Sequence, residues 1–538
     1  MDSHLHDCFE GGHSEKCTSR VSNEPALPTR LIDVTTATPR LIDSSQIQEI
    51  GIKTPGGHPR YAALSYCWGS ATDVALQLKT EIALESQRRA GISTSTLSKT
   101  LEDAVSLVRA LSIPYLWVDA LCIVQDDISD WQRESSRMGE IYANAYVTIC
   151  SLSASCLSRF LEPDILPVVI PFRSSVNTDI VGSYALRYEI VGTMAKEIRV
   201  LPDVHNSRWL QRGLTHQELI MSGRLLLFGP SSAHFVCPSI TVSEGEQLQS
   251  KSWTFLLREL PTDLDELYNQ WTESVVKDHS GRLFSKRSDV LPALAGLAKH
   301  FAEAINDEFI AGLWKGDLLR GLMWKYCLSP GPEAHSFSDL LSMLSSQDLY
   351  VSPSWSWVGR RTIDFDLYES DGIRLSDIKR ECDAVASVVV QGLNPFGRVR
   401  SGSLRIGSKT YDLKPPIQLS DPENYYPRRY RIRISDSAIA FCAFDWAVRP
   451  GLIIKENLKV VALLSINRTE ATGNGLNEWQ EISRSYGGDG GRTLYGLIVH
   501  KANREDCFFR VGTFVAEAEK GAGMKMFDGW RMETIDII

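Results

Sequence analysis

The chain has 538 residues, 43% hydrophobic and 23% charged, with 57 Lys and Arg against 66 Asp and Glu for a formal net charge of -9. That length exceeds one compact core and predicts two main lobes, and so ordinary a composition excludes long-range disorder away from the ends. The acidic balance, with pI near 5.8, gives no electrostatic basis for a nucleic-acid partner.

His4, His6, Cys8, His13 and Cys17 crowd the N-terminus. Such side chains ligate zinc when they converge tetrahedrally, but the spacing matches no standard zinc module. No metal is assigned, and residues 1–27 are expected to form a disordered tail. This start lacks the apolar core of a signal peptide, and no apolar run approaches the roughly 18 residues of a membrane span. The eleven cysteines are scattered without a CxxC pair, which predicts reduced thiols, no disulfides and a cytoplasmic, intracellular setting.

The run from Arg60 to Gly69 (RYAALSYCWG) reads as a buried strand ending in a turn. Thr100 and Asp103 have capping-box spacing. Leu101, Ala104, Val105, Val108 and Leu111 then share one helical face until Pro114 forbids further helix. Tyr115 to Val124 is apolar on both alternating faces, the pattern of a strand covered on each side, with Asp119 its only charge. Trp131, Met138, Ile141, Tyr142 and Ala145 form a second helical stripe, and Tyr146 to Ser151 a third strand. Strands joined by helices of this length lie parallel, so the N-terminal lobe is expected to be an α/β sandwich around a parallel sheet.

Residues 157–204 lack a clear period and read as an insertion. Ser207 to Gly229 resumes with a helix, for which Thr215 and Glu218 have capping-box spacing, and a strand at Arg224 to Phe228, which extends this lobe over 28–237. Helical stretches near 261–277 and 288–304 and the Trp-rich run Pro353 to Trp357 make a middle region, 238–358. Short alternating runs such as Leu404–Ile406, Val460–Ile466 and Leu494–Val499 predict a β-rich lobe over 359–538, with a loop around 467–492. Arg428, Arg429, Arg431 and Arg433 are read as a solvated strand edge.

Three stretches together resemble the fungal HET-domain (heterokaryon incompatibility) family: Tyr61 to Gly69, Leu116 to Gln125 followed by Met138 to Ala145, and Arg212 to Glu218. Leu291–Leu297, Ala311–Trp314, Leu322–Trp324 and Pro353–Trp357 resemble the downstream region of the same family. The chain departs from the pattern at Val124, where relatives commonly carry Asn, and at Leu214-Thr-His-Gln-Glu218, where they carry Trp-Thr-Leu-Gln-Glu. The resemblance implies a role in incompatibility and programmed cell death, with like HET lobes and a non-self allelic product as protein partners.

HET domains in turn resemble TIR domains, some of which cleave the nicotinamide glycosidic bond of NAD with a glutamate. That likeness implies a TIR-like fold, NAD as a substrate rather than a bound cofactor, and Glu218 as the catalytic acid. The alternative for Glu218 is that it only closes the Thr215 capping box. Asp119 needs a partner wherever it is buried; at the C-terminal end of its strand it would face the crevice where open α/β sheets bind ligands, as a second catalytic carboxylate.

Ser65, Tyr66, Trp68 and Gly69 would border the same crevice, with Trp68 stacking on a ring of the nucleotide and His216 orienting a phosphate. Cys67 and Cys122 sit in apolar strands, where buried thiols stay inert. No Gly-x-x-x-x-Gly-Lys-Ser/Thr loop and no Gly-x-Ser-x-Gly elbow occurs. Against the hydrolase stands a non-catalytic protein that signals by self-association through the same lobe.

Overall fold

Tyr61–Ser65 is a strand buried at every position, as its unbroken apolar run requires of a strand covered on both faces. The computed structural model to which it belongs describes residues 2–10, 13, 17, 27–50, 59–162, 168–186, 201–244, 250–251, 260–326, 336–367, 373–419, 430–435, 438–448, 452–466, 492–502, 506–516 and 530–538. The chain divides into two compact units: Met1–Glu259 with Ala293–Leu297, and Leu260–Pro292 with Ala298–Ile538.

The first unit is built on a nine-stranded mixed sheet. In chain order its strands are β1 (Arg30–Asp33), β2 (Arg40–Asp43), β3 (Tyr61–Ser65), β4 (Tyr115–Trp117) and β5 (Val147–Ser151). A separate hairpin, β6 (Val168–Arg173) and β7 (Val181–Leu186), precedes β8 (Leu225–Phe228), β9 (Ala233–Val236), β10 (Ile240–Ser243) and β11 (Ser250–Lys251). The sheet runs β11-β10-β9-β8-β5-β3-β4-β1-β2. β4, β3, β5 and β8 pair in parallel, while β1 and β2 on one side and β9 to β11 on the other add antiparallel edges. The N-terminal unit is thus mixed α/β with a parallel centre, rather than parallel throughout.

Among the parallel strands the first in sequence, β3, lies between the second, β4, and the third, β5. The strand order therefore reverses beside β3, and the C-terminal ends of β3 and β5 flank the crevice that open α/β sheets leave for ligands.

Among the helices of this unit are α1 (Asp2–Phe9), α2 (Lys99–Ala110), α3 (Asp119–Cys122), α4 (Ile128–Asn144) and α5 (Thr215–Met221). α2 buries Leu101, Ala104, Val105 and Val108 on one face, as their spacing predicts. Its N-cap is Ser98 rather than Thr100. The Asp103 carboxylate instead accepts the amides of Phe160 and Leu161 and pairs with Arg159, tying the start of the 157–204 insertion to the helix. α4 begins one turn earlier than its apolar stripe, because Asp127 accepts the amides of Ser129 and Asp130.

Two expectations need correction. The strand read over Tyr115–Val124 stops at Trp117: Asp119 opens α3, where its Oδ1 accepts the Ala120 amide at 2.7 Å and the amides of Leu121 and Cys122 turn back to the Val118 carbonyl. Nor are the described residues of the 1–27 segment a featureless tail. α1 forms there, with Leu5, Cys8 and Cys17 buried in the main apolar core of this unit.

The insertion is represented by the exposed β6–β7 hairpin; most of its remainder lies outside the described residues, as do Arg428, Arg429 and nearly all of the 467–492 loop. None of the ten described cysteines is in a disulfide, and among the described residues no helix is long and apolar enough to cross a membrane.

The second unit is β-rich. Val399–Leu413, Arg531–Ile537, Cys507–Ala516, Thr493–Lys501 and Leu458–Ile466 pair in a closed ring, which leaves these five strands without an open edge. Tyr430–Ser435, which carries Arg431 and Arg433, ends one arm of the sheet. Helical turns from Leu264 to Gly281 and the run Pro353–Trp357 enclose an aromatic core in which Trp271, Trp324, Trp355 and Trp357 are each at most 2% exposed. The Arg510 guanidinium is held by Asp445 at 2.7 Å and lies 3.2 Å from the Trp324 ring centre, so its buried charge is compensated.

Within the first unit α4 meets Gly296 at a very short distance. A Cβ on Gly139 would stand 2.8 Å from the Gly296 Cα, and one on Gly296 2.7 Å from the Gly139 Cα. Gly139→Ala is expected to cost about 1–3 kcal/mol in urea unfolding through overpacking. Gly223→Ala, with nothing within 4 Å of the new carbon, should change stability little; equal losses for the two variants would contradict this packing.

Candidate active site

The locus is built around the C-terminal end of β3. Ser65 is the last residue of that strand and Tyr66 the next, and Gly69 then turns the chain at φ +96° into the helix Ala71–Leu76. Only glycine fits here, because the left-handed φ disfavours a side chain and a Cβ would collide with the Asp73 carboxylate, which closes a capping box with Ser70.

On α5, Thr215 does not cap Glu218. Its hydroxyl donates to the carbonyls of Trp209 and Arg212 at 2.6 and 2.9 Å, and the N-cap Leu214 makes no side-chain bond. Glu218 is thereby free of the capping role and is turned inward, where its Oε2 accepts the Ser65 hydroxyl. Ser65 Oγ accepts in turn from the Trp209 indole at 2.7 Å. Trp209 is fully buried, Ser65 is 1% exposed and Glu218 6%. The result is a directional chain of donors, indole to hydroxyl to carboxyl, in a dry environment.

Asp119 lies nearer solvent, half-buried at the start of α3. Its Oδ2 accepts the Trp68 indole N–H at 3.2 Å, and the Tyr66 hydroxyl bonds to it as well. Tyr66 Oη also accepts from the Gln77 amide at 2.7 Å. Trp68 is itself partly exposed, with the Lys79 ammonium 5.3 Å from its ring centre. Arg212 donates to the Tyr66 carbonyl at 3.2 Å and acts electrostatically on both carboxyls.

Burial pushes Glu218 up to about 8, and the charge of Asp119 adds to it, against the opposing pull of Ser65, Arg212 and Tyr142. Burial likewise raises Asp119, but only to about 6, because the Ala120 amide, Arg212, Trp68 and Tyr66 stabilise its charge. At neutral pH the inner carboxyl is therefore protonated and the outer one ionised. Two acids whose surroundings separate their titrations in this way are suited to different tasks.

The structure therefore brings Ser65, Tyr66, Trp68, Asp119 and Glu218 together, from three separate stretches of sequence. Gly69 shapes the turn rather than the chemistry. His216, on α5, is 1% exposed and is not presented to solvent. Arg212, Trp209, Tyr142 and Lys79 join the site without being expected there. Arg212 was readable, as the only cation in its motif, whereas Trp209 and Tyr142 have the pattern of ordinary core aromatics. Burial raises the Cys67 thiol and pushes Cys122 up to about 12, so neither is an activated nucleophile.

The raised pKa of Glu218 ties stability to pH. The folded carboxyl titrates near 8 against 4.5 for an ordinary glutamate, so its favourable contribution is complete below about pH 4.5 and is lost as pH rises through about 8. Wild type is expected to lose a few kcal/mol between pH 6 and 9 in urea unfolding, part of which Glu218→Gln restores by flattening the slope. Parallel pH profiles for the two proteins would contradict a buried neutral carboxyl.

No curated protein and no solved structure matches the chain significantly. Residues 61–218 do match the family described as Heterokaryon incompatibility protein (HET), an interval that opens on β3 and ends on the inner carboxyl itself. Over this segment of its first unit the chain is similar to the HET family of heterokaryon-incompatibility proteins.

Proposed function

We propose that the HET unit hydrolyses the nicotinamide N-glycosidic bond of NAD, with Glu218 as the carboxylate that stabilises the transition state. The observation that carries this reading is the inward-facing Glu218, bonded to Ser65 and set beside Asp119 where the parallel strand order reverses. The resemblance of HET domains to TIR domains supports it.

Breaking the bond sends its electron pair to the pyridinium nitrogen, so nicotinamide departs neutral and needs no general acid. Positive charge then develops on the ribose, as in other oxocarbenium-like glycoside cleavages, and a fixed carboxylate in a dry site lowers the energy of that charge. Water adds to the anomeric carbon and gives up a proton, which Asp119, the less elevated of the two acids, is placed to accept. The approach of a cationic nicotinamide ring favours ionisation of Glu218, so the substrate itself deprotonates the group that acts on it. Trp68, partly exposed at the rim, offers its ring for stacking, and Lys79 supplies positive charge for the diphosphate.

A reading without chemistry, signalling by self-association of like HET lobes, draws its support from the 6% exposure of Glu218, which leaves a substrate little access unless the rim opens. Purified full-length protein incubated with NAD distinguishes the two. Nicotinamide and ADP-ribose should appear, with kcat/KM rising about tenfold per pH unit until Glu218 ionises near 8. Glu218→Gln should lower it by roughly 100-fold or more while keeping a cooperative melt. No nicotinamide at any pH, together with undiminished cell death on expression of Glu218→Gln, would replace the hydrolase with the assembly reading.

A further inference from the structure

The side chains of Cys8, His13, Cys17 and Cys237 converge, with one ligand atom from each lying within 4.8 Å of every other. Cys17 Sγ is 3.7 Å from Cys237 Sγ, and Cys237 Sγ is 3.6 Å from His13 Nδ1. Zinc bonds of about 2.3 Å to sulfur and about 2.0 Å to nitrogen in a tetrahedron set ligand edges of about 3.8 Å between two sulfurs and about 3.6 Å between sulfur and nitrogen. The two separations agree with those edges, and both are far too long for a covalent sulfur bond.

We propose that Cys8, His13, Cys17 and Cys237 form a structural zinc site that staples the N-terminal segment to the sheet. Three thiolates and one imidazole are a soft, tetrahedral donor set, which selects Zn2+ over oxygen-seeking cations such as Mg2+ or Ca2+. Four protein ligands leave no open position, as a structural rather than a catalytic site requires.

The surroundings fit the same assignment. Cys237 opens the turn between β9 and β10, and the Ile240 amide points at its sulfur at 3.4 Å, a donor that holds and partly neutralises a metal-bound thiolate. Ser239 Oγ lies 3.2 Å from Cys17 Sγ. Three thiolates around a dication leave one net negative charge. Arg224, itself buried, donates to the Cys17 carbonyl, and its guanidinium and that of Arg60 lie against the Phe9 and Tyr146 rings.

The site also accounts for order where the sequence predicted none. An eight-residue helix such as α1 does not hold alone in water, yet α1 buries Leu5 and Cys8, and the His4 and His13 rings lie 6.2 and 6.0 Å from Phe235 of β9. Metal binding energy coupled to folding supplies what so short a segment lacks.

The test is zinc content of the full-length protein, purified without a histidine tag and analysed by mass spectrometry of the metal. About one zinc per chain is expected, resistant to dialysis. Cobalt exchanged into the site should give the thiolate charge-transfer band and intense visible bands of a tetrahedral complex. Cys237→Ser should lose the metal, whereas Cys507→Ser, outside the cluster, should keep it. His13→Cys, which preserves four soft ligands, should also keep it, and that separates ligation from misfolding. Wild-type protein that is folded and free of zinc, or a Cys17–Cys237 disulfide found in its unreduced peptides, would overturn the assignment.

Discussion

Ser65 and Glu218 are 153 positions apart in the chain, and the hydrogen bond between them is the contact on which the rest of the first unit's site depends. It exists because β3 lies at the centre of the parallel strands and ends at the place where their order reverses. A carboxyl so buried is unfavourable as an ion unless donors and a cation surround it. Trp209 orients the serine, the serine donates to the acid, and Arg212 moderates its charge. Removal of any one leaves a polar group without a partner in a dry place, so these residues act as a unit rather than as separate contributions.

The same burial explains why the two carboxyls differ. Asp119 sits at the head of α3, where a backbone amide, an indole and a phenol reach it, and burial raises it only to about 6. Glu218 has the hydroxyls of Ser65 and Tyr142 and the charge of Arg212, which do not offset its burial and the charge of Asp119, and it holds its proton into the neutral range. Such a carboxyl is inactive as an anion until a positive charge arrives, which is the property a site acting on a pyridinium ring needs. An enzyme built in this way would be quiet at rest and switched on by its own substrate.

Much of this architecture is legible in the sequence, and the failures have physical causes. The apolar run at Tyr61–Ser65, the helical face from Leu101 to Val108 and the strand before Ser151 appear where their periodicity places them. The edge strands Arg30–Asp33 and Arg40–Asp43 escape notice because four residues, half of them charged, carry no period. Asp119 misleads because a pattern of apolar residues does not show where a side chain recaptures its own backbone and ends a strand. Thr215 and Glu218 have the spacing of a cap, yet Thr215 bonds to carbonyls behind it and the acid is left for Ser65. The cluster around Cys8, His13 and Cys17 cannot be recognised locally, since its fourth member, Cys237, lies 220 positions beyond Cys17 and only the β9–β10 turn brings it back.

The two features of the first unit answer different needs, one holding a polar N-terminal segment on the sheet and the other holding a carboxyl out of water. The central claim concerns the second, that Glu218 is a buried neutral acid which a nicotinamide-bearing ligand ionises. Calorimetric titration of NAD into the protein at pH 7, at a temperature low enough to stop turnover and in buffers of different ionisation enthalpy, measures the protons exchanged on binding. The account predicts net release approaching one proton per bound ligand in wild type and none in Glu218→Gln. Binding without proton release in wild type, or the same release in the variant, would contradict it.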